Sequence, residues 1–259
     1  MTRVNYDEVA PTFDGRYSTE RRRLTAIAEA LRALAQSLNA RLVLEAGCGT
    51  GRWLAEWDGA QCRAFGLDFS QGMLAKAREQ RSLLELARAD ACCIPFTRET
   101  FDLVYCVNAF HHFNPPQDFV REARRVLRPG GALAIAGMEP RASRNSWYVY
   151  HYFEGTYETD LRRFPPQETI ARWMTEAGFT GIEWREVERL ARQHSGRDVL
   201  DDFFLQKSGT SQLTLLSGED YAAGLRRIES AVAEAEARGE TILFPVDISI
   251  TMIVGYAPL

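Results

Sequence analysis

Apolar residues in the first 140 positions follow two alternating patterns. Between residues 19 and 38, apolar side chains recur every three or four positions, which is typical of an amphipathic helix. Further along, short and nearly continuous apolar runs have the character of strands that are buried on both faces. These runs lie at 43–46, 63–68, 84–88, 101–107 and 132–137. Strand, helix and strand within about 30 residues predict right-handed βαβ units and a parallel sheet.

The pattern changes after residue 140. We expect an irregular insertion, rich in aromatic residues, at 140–166, and a second insertion at 190–245. A helix, a sixth strand, two further helices and a final strand are predicted at 167–177, 182–188, 197–207, 218–238 and 244–256. Both insertions leave the sheet at or near the carboxyl ends of central strands. We therefore expect them to form a cap over the crevice where such sheets bind ligands.

Composition narrows the class of protein. The chain has 259 residues, of which 46% are hydrophobic and 25% charged, enough for one globular domain with an added subdomain. Its formal net charge of -4 offers no basic surface of the kind that nucleic-acid phosphates require. No run of about 18 apolar residues is present, and the amino terminus lacks the apolar core of a signal peptide. We expect a cytoplasmic protein that binds neither nucleic acid nor membrane.

The cysteines and histidines do not predict a metal site. Five cysteines lie in or beside predicted strands, an odd number without paired-ligand spacing. Cys92 and Cys93 are adjacent, which suits neither a strain-free disulfide nor a zinc knuckle. His111 and His112 are also adjacent and cannot readily share one ion. We expect reduced thiols and no metal.

The first apolar run leads into three alternate glycines, Gly47, Gly49 and Gly51. Glycine lets the backbone turn sharply and exposes main-chain amides where a Cβ would block a ligand. Such a turn can hold a small anionic or zwitterionic group. A dinucleotide fingerprint would place its third glycine where this chain has Arg52, which argues against that class of ligand.

Polar residues end the next three strands. Asp68 ends the second strand about 20 residues after the glycines, where a carboxylate can accept both hydroxyls of a ribose. Ser70 is predicted to cap the helix that follows. Asp90 follows the third strand, where a turn residue is the structural alternative to a ligand contact. Asn108 ends the fourth strand.

The run at 45–51, EAGCGTG, resembles the first motif of class I S-adenosylmethionine (SAM) dependent methyltransferases. The phrase EARRVLRPGG at 122–131 and the amino-terminal pattern YDxxAxxFDxRY resemble the same family. Five such motifs occur in the family's order between Tyr6 and Gly137. The chain is similar to the ubiquinone and menaquinone methyltransferase-like group, also called methyltransferase type 11. The resemblance implies an α/β fold: a Rossmann-like, seven-stranded, mostly parallel sheet with an antiparallel last strand, plus helical and aromatic cap insertions.

The resemblance also implies SAM as cofactor and S-adenosyl-L-homocysteine (SAH) as product. Asp68 would bind the ribose, Phe69 and Met73 would flank the adenine, and Asp90 with Ala91 would read its amine. The backbone of Asn108 would contact the methionine amino group. The full set of expected cofactor-binding residues is Tyr17, Glu45, Gly47, Cys48, Gly49, Gly51, Asp68, Phe69, Met73, Asp90, Ala91 and Asn108.

His111 and His112 follow the fourth strand directly and are the candidate catalytic residues. Histidine suits a general base near neutral pH, and His112 is the slightly favoured of the two. The alternative is that both belong to a loop and helix lead in which one ring packs inward. Just beyond, Asn114 is predicted to cap a helix with Pro115 at its first position and Gln117 as the reciprocal capping residue.

The predicted function is methyl transfer from SAM to a small, apolar or aromatic acceptor at O, N or C. The alternatives are a tRNA or protein methyltransferase, and a non-catalytic SAM- or SAH-binding partner protein. The oligomeric state stays open. The predicted units are an amino-terminal flap and helix at 1–40, a SAM-binding core at 41–139, a cap insertion at 140–166, a core continuation at 167–189, a second cap insertion at 190–245 and a final core strand at 246–259.

Overall fold

The computed structural model describes residues 4–11, 13, 25–59, 61–81, 84–142 and 146–259. Within these residues seven strands form one sheet, in the spatial order β3-β2-β1-β4-β5-β7-β6. The strands are β1 Leu42–Ala46, β2 Arg63–Asp68, β3 Glu85–Arg88, β4 Phe101–Val107, β5 Leu127–Met138, β6 Thr180–Ser195 and β7 Leu243–Tyr256. Strands β1 to β5 pair in parallel, and β7 lies antiparallel between β5 and β6. The predicted fold class is confirmed.

Helices cover both faces of the sheet. In chain order they are α1 Tyr6–Val9, α2 Thr25–Ser37, α3 Gln71–Gln80, α4 Pro116–Val126, α5 Tyr148–Tyr152, α6 Thr156–Arg163, α7 Gln167–Glu176, α8 Ser211–Thr214 and α9 Gly218–Ala237. On one face α4 and α7 bury Phe119 and Met174 against the sheet. On the other face α2 buries Ile27 and Leu31. The continuous apolar strands predicted from the sequence are therefore explained by cover on both sides.

The strand order reverses between β1 and β4. From β1 the chain proceeds to β2 and β3 on one side, and later to β4 and β5 on the other side. The loops after β1 and β4 therefore leave the sheet in opposite directions, which opens a crevice at their carboxyl ends. The glycine turn lies at this point.

The segment after the glycine turn is a short 3₁₀ helix, Leu54–Trp57. The prediction for the start of α4 is wrong. Helix α4 begins at Pro116, with Pro115 in extended conformation at the cap position and no side-chain cap bond. Asn114 and Gln117 therefore do not form the expected capping box. Pro116 lacks an N–H, so it fits the first helical position, where that group has no helical partner in any case.

The two insertions form one cap over the extended ends of β6 and β7. The first insertion contains α5 and α6 rather than irregular chain, and the helix predicted near 197–207 consists of the 3₁₀ turns Gly196–Asp201 and Phe203–Leu205. Their buried core joins both insertions to the two strands, through Trp147, Tyr148, Phe153, Val199, Leu213, Ile228, Val232, Phe244 and Val246. The cap aromatics therefore pack largely on one another.

Candidate functional site

A cavity of about 320 Å³ lies at the carboxyl ends of β1, β2 and β4. Its walls come from the glycine turn, the residues after β2 and β4, and the amino-terminal segment. Of the expected cofactor residues, those that line it are Glu45, Gly47, Cys48, Gly49, Asp68, Phe69, Met73, Ala91 and Asn108. The crevice at the reversal of strand order thus brings together most of the site that the sequence predicted.

Glycine is required at two positions of the turn. Gly47 has a φ of +72°, and a Cβ added there would lie 2.5 Å from the Cβ of Ala109. Gly51 has a φ of +76°, and its Cβ would lie 2.7 Å from Leu84 Cδ1. Gly51 is not among the lining residues, so it allows close packing behind the turn rather than access to a ligand.

Asp68 connects the end of β2 to the glycine turn. One carboxylate oxygen accepts the Gly49 N–H at 2.8 Å, and the other accepts the Ser70 N–H at 2.8 Å. Ser70 in turn caps α3, because its side chain accepts the Met73 N–H at 3.1 Å. The carboxylate is thereby held at the cavity wall by two amides, and the predicted Ser70 cap is confirmed.

Glu45 presents a buried carboxyl group to the same cavity. Its Oε2 accepts the Tyr105 hydroxyl at 3.3 Å, and Tyr105 accepts the Trp57 indole N–H at 2.8 Å. Its Oε1 is buried and has no hydrogen-bond partner among the described residues. Burial raises the pKa of Glu45 well above its usual range, and the nearby Asp68 adds to the rise. A cationic or N–H-bearing ligand group would supply the missing partner.

The amino-terminal segment forms part of the cavity wall through Val4, Asn5, Tyr6, Asp7 and Phe13. Asp7 attaches this segment to the start of α3, because its Oδ1 accepts from the Ser70 hydroxyl at 2.6 Å and the Gly72 N–H at 2.7 Å. Sequence reasoning missed Asp7, whose only signal was its place in the amino-terminal family pattern. Tyr17, which the resemblance singled out, lies outside the described residues.

Asp7→Ala should loosen the amino-terminal wall and weaken SAM binding by about threefold to tenfold, the effect of losing one part-buried and one exposed hydrogen bond. Those bonds lower the pKa of Asp7, the Ser70 bond contributing most. The contribution of the Asp7 carboxylate to folding stability is therefore present at neutral pH. It is lost as the pH falls through the lowered folded-state pKa. Calorimetric titration with SAM at neutral pH measures the change. Glu8→Ala, in the same helix, should bind SAM like the wild type; equal affinity in Asp7→Ala would contradict the attachment.

Asp90 is not among the residues that line the cavity. Its Oδ1 accepts the Cys92 N–H at 2.9 Å, and its carbonyl accepts the Cys93 N–H at 2.9 Å. The side chain thus forms a turn in this structure, which was the alternative interpretation. Its neighbours Ala89 and Ala91 do line the cavity, so the backbone at this point remains near the ligand space.

A second cavity, of about 160 Å³, adjoins the first. Four residues line both cavities: Tyr6, Phe13, Asn108 and His112. The remaining wall of the second cavity comes from His111 after β4, from the cap and from the outer parts of β5, β6 and β7. These residues are His111, Met138, Trp147, Phe164, Leu190, Phe204, Gly209, Thr210, Ser211, Gln212, Ile248 and Ile250. Among the described residues, no aspartate, glutamate, lysine or arginine lines it.

The two histidines occupy different environments. His112 lies at the junction of the cavities, where its Nε2 is 2.6 Å from the Tyr6 hydroxyl oxygen. Of these two cavities His111 lines the second alone, and its ring stacks on Phe164 with centroids 4.0 Å apart. The structure therefore places His112, and not His111, at the wall of the first cavity.

The described part of the chain contains neither a cluster of metal ligands nor a membrane-spanning helix. No group of three or more His, Cys, Asp or Glu side chains there could hold a metal ion. No helix there is long and apolar enough to span a membrane.

Comparison with known proteins agrees with this geometry. A family described as "Methyltransferase domain" matches residues 44–135, from β1 to β5. The demethylmenaquinone methyltransferase of Renibacterium salmoninarum is 26% identical over 211 residues, which cover 70% of this chain and 85% of that protein. The protein is a SAM-dependent methyltransferase, and residues 44–135 are its matched domain.

Two further methyltransferases are similar to this chain, one in sequence and one in structure. The malonyl-[acyl-carrier protein] O-methyltransferase of Enterobacter lignolyticus is 36% identical over 130 residues, half of each chain. The structure of Haemonchus contortus phosphoethanolamine N-methyltransferase 2 in complex with SAM superimposes with a TM-score of 0.58 at 16% identity, and covers 98% of this chain and 57% of that one.

SAM is the cofactor of this methyltransferase. The residues present fit it: a glycine cradle that a Cβ would fill, a carboxylate at the end of β2, and the unpartnered Glu45 Oε1 all face one cavity.

Proposed function

We propose that this methyltransferase transfers the methyl group to a small, uncharged and mainly apolar acceptor bound in the second cavity. The observation that carries the proposal is the wall shared by the two cavities, formed by Tyr6, Phe13, Asn108 and His112. An acceptor in the second cavity would meet the cofactor across this wall. Alignment of the two reactants and exclusion of water are the main requirements of a displacement at a methyl group.

In this proposal the first cavity holds SAM through residues of the predicted set. Asp68 accepts the ribose hydroxyls, Phe69 and Met73 flank the adenine, and Glu45 with the backbone of Asn108 receives the amino group. Phe69 is 52% exposed, so a stacked adenine would cover an apolar surface that otherwise faces solvent. When bound, SAM supplies a methyl group that its sulfonium has already activated.

His112 and Tyr6 handle the proton of the acceptor. Since the Tyr6 hydroxyl and His112 Nε2 are 2.6 Å apart, a proton taken from an acceptor O–H or N–H can pass through the tyrosine oxygen to the imidazole or go directly to the other ring nitrogen. The tautomer of His112 decides which ring nitrogen carries hydrogen, and therefore which of these two routes is open. An acceptor that reacts at carbon or at an already ionised oxygen would need this pair only for alignment.

The wall chemistry of the second cavity argues for a neutral acceptor. A bound carboxylate, phosphate or ammonium group would lose its hydration there without meeting an opposite charge from the described lining residues, which is costly. Apolar side chains such as Met138, Leu190, Ile248 and Ile250 favour a hydrocarbon or aromatic body. Of the substrates in the names of the relatives, demethylmenaquinone has this character more than a malonyl group does.

A methyl-transfer assay over an acceptor panel tests the proposal. We expect SAH release with neutral phenols, naphthols or hydroquinones, and at least about tenfold lower kcat/KM with analogues that carry a carboxylate or phosphate. Transfer to tRNA or to a protein instead would favour a macromolecular acceptor. SAM binding without turnover of any panel member would favour a non-catalytic binding partner. Either result would contradict the proposal.

Glu45→Gln should raise the free energy of unfolding as the pH rises but lower the affinity for SAM. Because burial raises the folded-state pKa, the stability associated with protonated Glu45 is present at low pH and is lost as the pH rises through that pKa. The neutral glutamine lacks this loss, so its advantage in free energy of unfolding should grow with pH by up to about 1.4 kcal/mol per pH unit within the titration window. SAM affinity should fall by about 1.5 to 3 kcal/mol if Glu45 receives the amino group.

Thermal unfolding between about pH 4.5 and pH 8, together with calorimetric titration of SAM, measures both effects. The exposed Glu79 supplies the control, since Glu79→Gln should leave SAM affinity unchanged. A Glu45→Gln protein that binds SAM as tightly as the wild type would remove Glu45 from the cofactor contacts.

A further inference from the structure

The second cavity has a polar strip on its cap side, away from Tyr6, Asn108 and the two histidines in sequence. Thr210, Ser211 and Gln212, at the start of α8, all line the cavity and are each more than nine-tenths buried. Buried polar groups are normally held by hydrogen bonds, and their arrangement determines which groups they can offer to a ligand.

Gln212 is held in one orientation by Asp160. Its Nε2 donates to Asp160 Oδ2, and the same oxygen accepts the Tyr150 hydroxyl at 2.7 Å. The other oxygen of this fully buried carboxylate accepts from Arg163 at 3.1 Å. With the amide nitrogen turned toward Asp160, the carbonyl Oε1 is the opposite end of the side chain. Its contact within the strip is the Ser211 hydroxyl at 3.4 Å, which leaves capacity for a second donor.

Trp147 lines the same cavity and carries a buried donor. The side chain is 2% exposed, and its indole N–H has no hydrogen-bond partner among the described residues. Its ring lies 5.0 Å from that of Tyr150, the tyrosine that bonds to Asp160. Trp147 and Gln212 therefore belong to one wall. A buried N–H without a partner costs free energy, so this wall is incomplete until an oxygen accepts that hydrogen.

We propose that Trp147 and Gln212 recognise a hydroxyl group of the acceptor at a point away from the atom that is methylated. The inference rests on the proposed function, since it assigns the acceptor to this cavity. The hydroxyl oxygen accepts the Trp147 N–H, and the hydroxyl hydrogen is donated to Gln212 Oε1. Asp160 is a positioning residue, because it determines which end of the Gln212 amide is available.

A hydroxyl fits this pair better than other polar groups. A ketone oxygen could accept from Trp147 but would leave Gln212 Oε1 without a donor. An ammonium group could donate to Gln212 but would face the indole N–H and find no free carboxylate, because both Asp160 oxygens already accept hydrogen bonds. Discrimination against an analogue that lacks the hydroxyl follows from leaving these buried groups unpaired.

The test compares two probes on the full-length, SAH-bound protein. The probes are 2,6-dihydroxynaphthalene, which has a second hydroxyl, and 6-methyl-2-naphthol, which has a methyl group in its place. We expect the wild type to bind the dihydroxy probe at least about tenfold more tightly by calorimetry. In Gln212→Met and in Trp147→Phe the ratio should fall below about threefold. Gln193→Met, an exposed glutamine on β6, is the control and should keep the wild-type ratio.

The ratio of affinities separates recognition from a merely structural role, since a distorted cavity would weaken both probes alike. Asp160→Asn should lower the ratio as Gln212→Met does. Equal binding of the probes to the wild type, no binding of either, or a ratio retained in Gln212→Met would overturn the inference.

Methyl transfer to the same probes, measured separately, tests the proposed function independently. Transfer without a hydroxyl preference would overturn the inference and support the function. A hydroxyl preference without transfer to either probe would support the inference and count against the function.

Discussion

Asp68→Ala should weaken SAM binding by about 1.5 to 3 kcal/mol, a rise in Kd of roughly 10- to 150-fold. The carboxylate is the proposed acceptor for the ribose hydroxyls, and hydrogen bonds to a charged group have this magnitude. The structure adds a second reason. The same carboxylate holds the amides of Gly49 and Ser70, so its loss also releases the glycine turn from the start of α3.

Calorimetric titration of the folded variant with SAM measures the loss. Asp68→Asn should fall between the wild type and Asp68→Ala, because one side-chain oxygen remains to accept hydrogen bonds. The exposed Asp58, which pairs with Arg81 on the surface, offers a matched control, and Asp58→Ala should bind SAM normally. Wild-type affinity in Asp68→Ala would end the ribose assignment.

His112→Ala should lower kcat by about 100-fold or more with an acceptor that loses a proton, while SAM affinity changes by less than about twofold. The physical reason is the position of the ring at the junction of both cavities, within hydrogen-bond distance of the Tyr6 hydroxyl. General-base catalysis contributes about 100- to 10,000-fold, and the lower end applies where solvent or Tyr6 can still accept the proton.

Single-turnover measurements with a phenolic acceptor found in the panel assay determine the chemical rate. Tyr6→Phe should slow the same step by a smaller factor, because it removes the relay but keeps the imidazole. His151 is an exposed residue of the cap and supplies the control, since His151→Ala should have the wild-type rate. An unchanged rate in His112→Ala would show that the ring serves only to shape the cavity.

The cofactor side of the site was largely predictable from the sequence. Each of its features is local: a glycine at positive φ, an acid that ends an apolar strand, and a serine that caps the next helix. Gly47, Asp68 and Ser70 occupy the expected places because backbone geometry within a few residues dictates them. Asp90 shows the limit of this local prediction, because an aspartate at the end of a strand can also stabilise a turn. Here its carboxylate accepts a hydrogen bond from the Cys92 amide.

Cap structure was less predictable. Short segments such as α5, α6 and the 3₁₀ turns at Gly196–Asp201 and Phe203–Leu205 carry too few residues for periodicity to distinguish helix from irregular chain. Their conformation depends on burial against β6 and β7, which are far away in sequence. Most aromatic residues of the first insertion form the core of the cap.

By itself the sequence determined the sheet, its antiparallel last strand, the glycine turn and the carboxylate beside it, because apolar runs and glycine conformations act over a few residues. Tertiary structure alone decided the arrangement of the second cavity. The Tyr6–His112 contact joins residues 106 positions apart, and the Asp160–Gln212 contact joins residues 52 apart. Such pairs leave no periodic trace in the chain, since each depends on where the cap and the amino-terminal segment come to lie on the finished sheet.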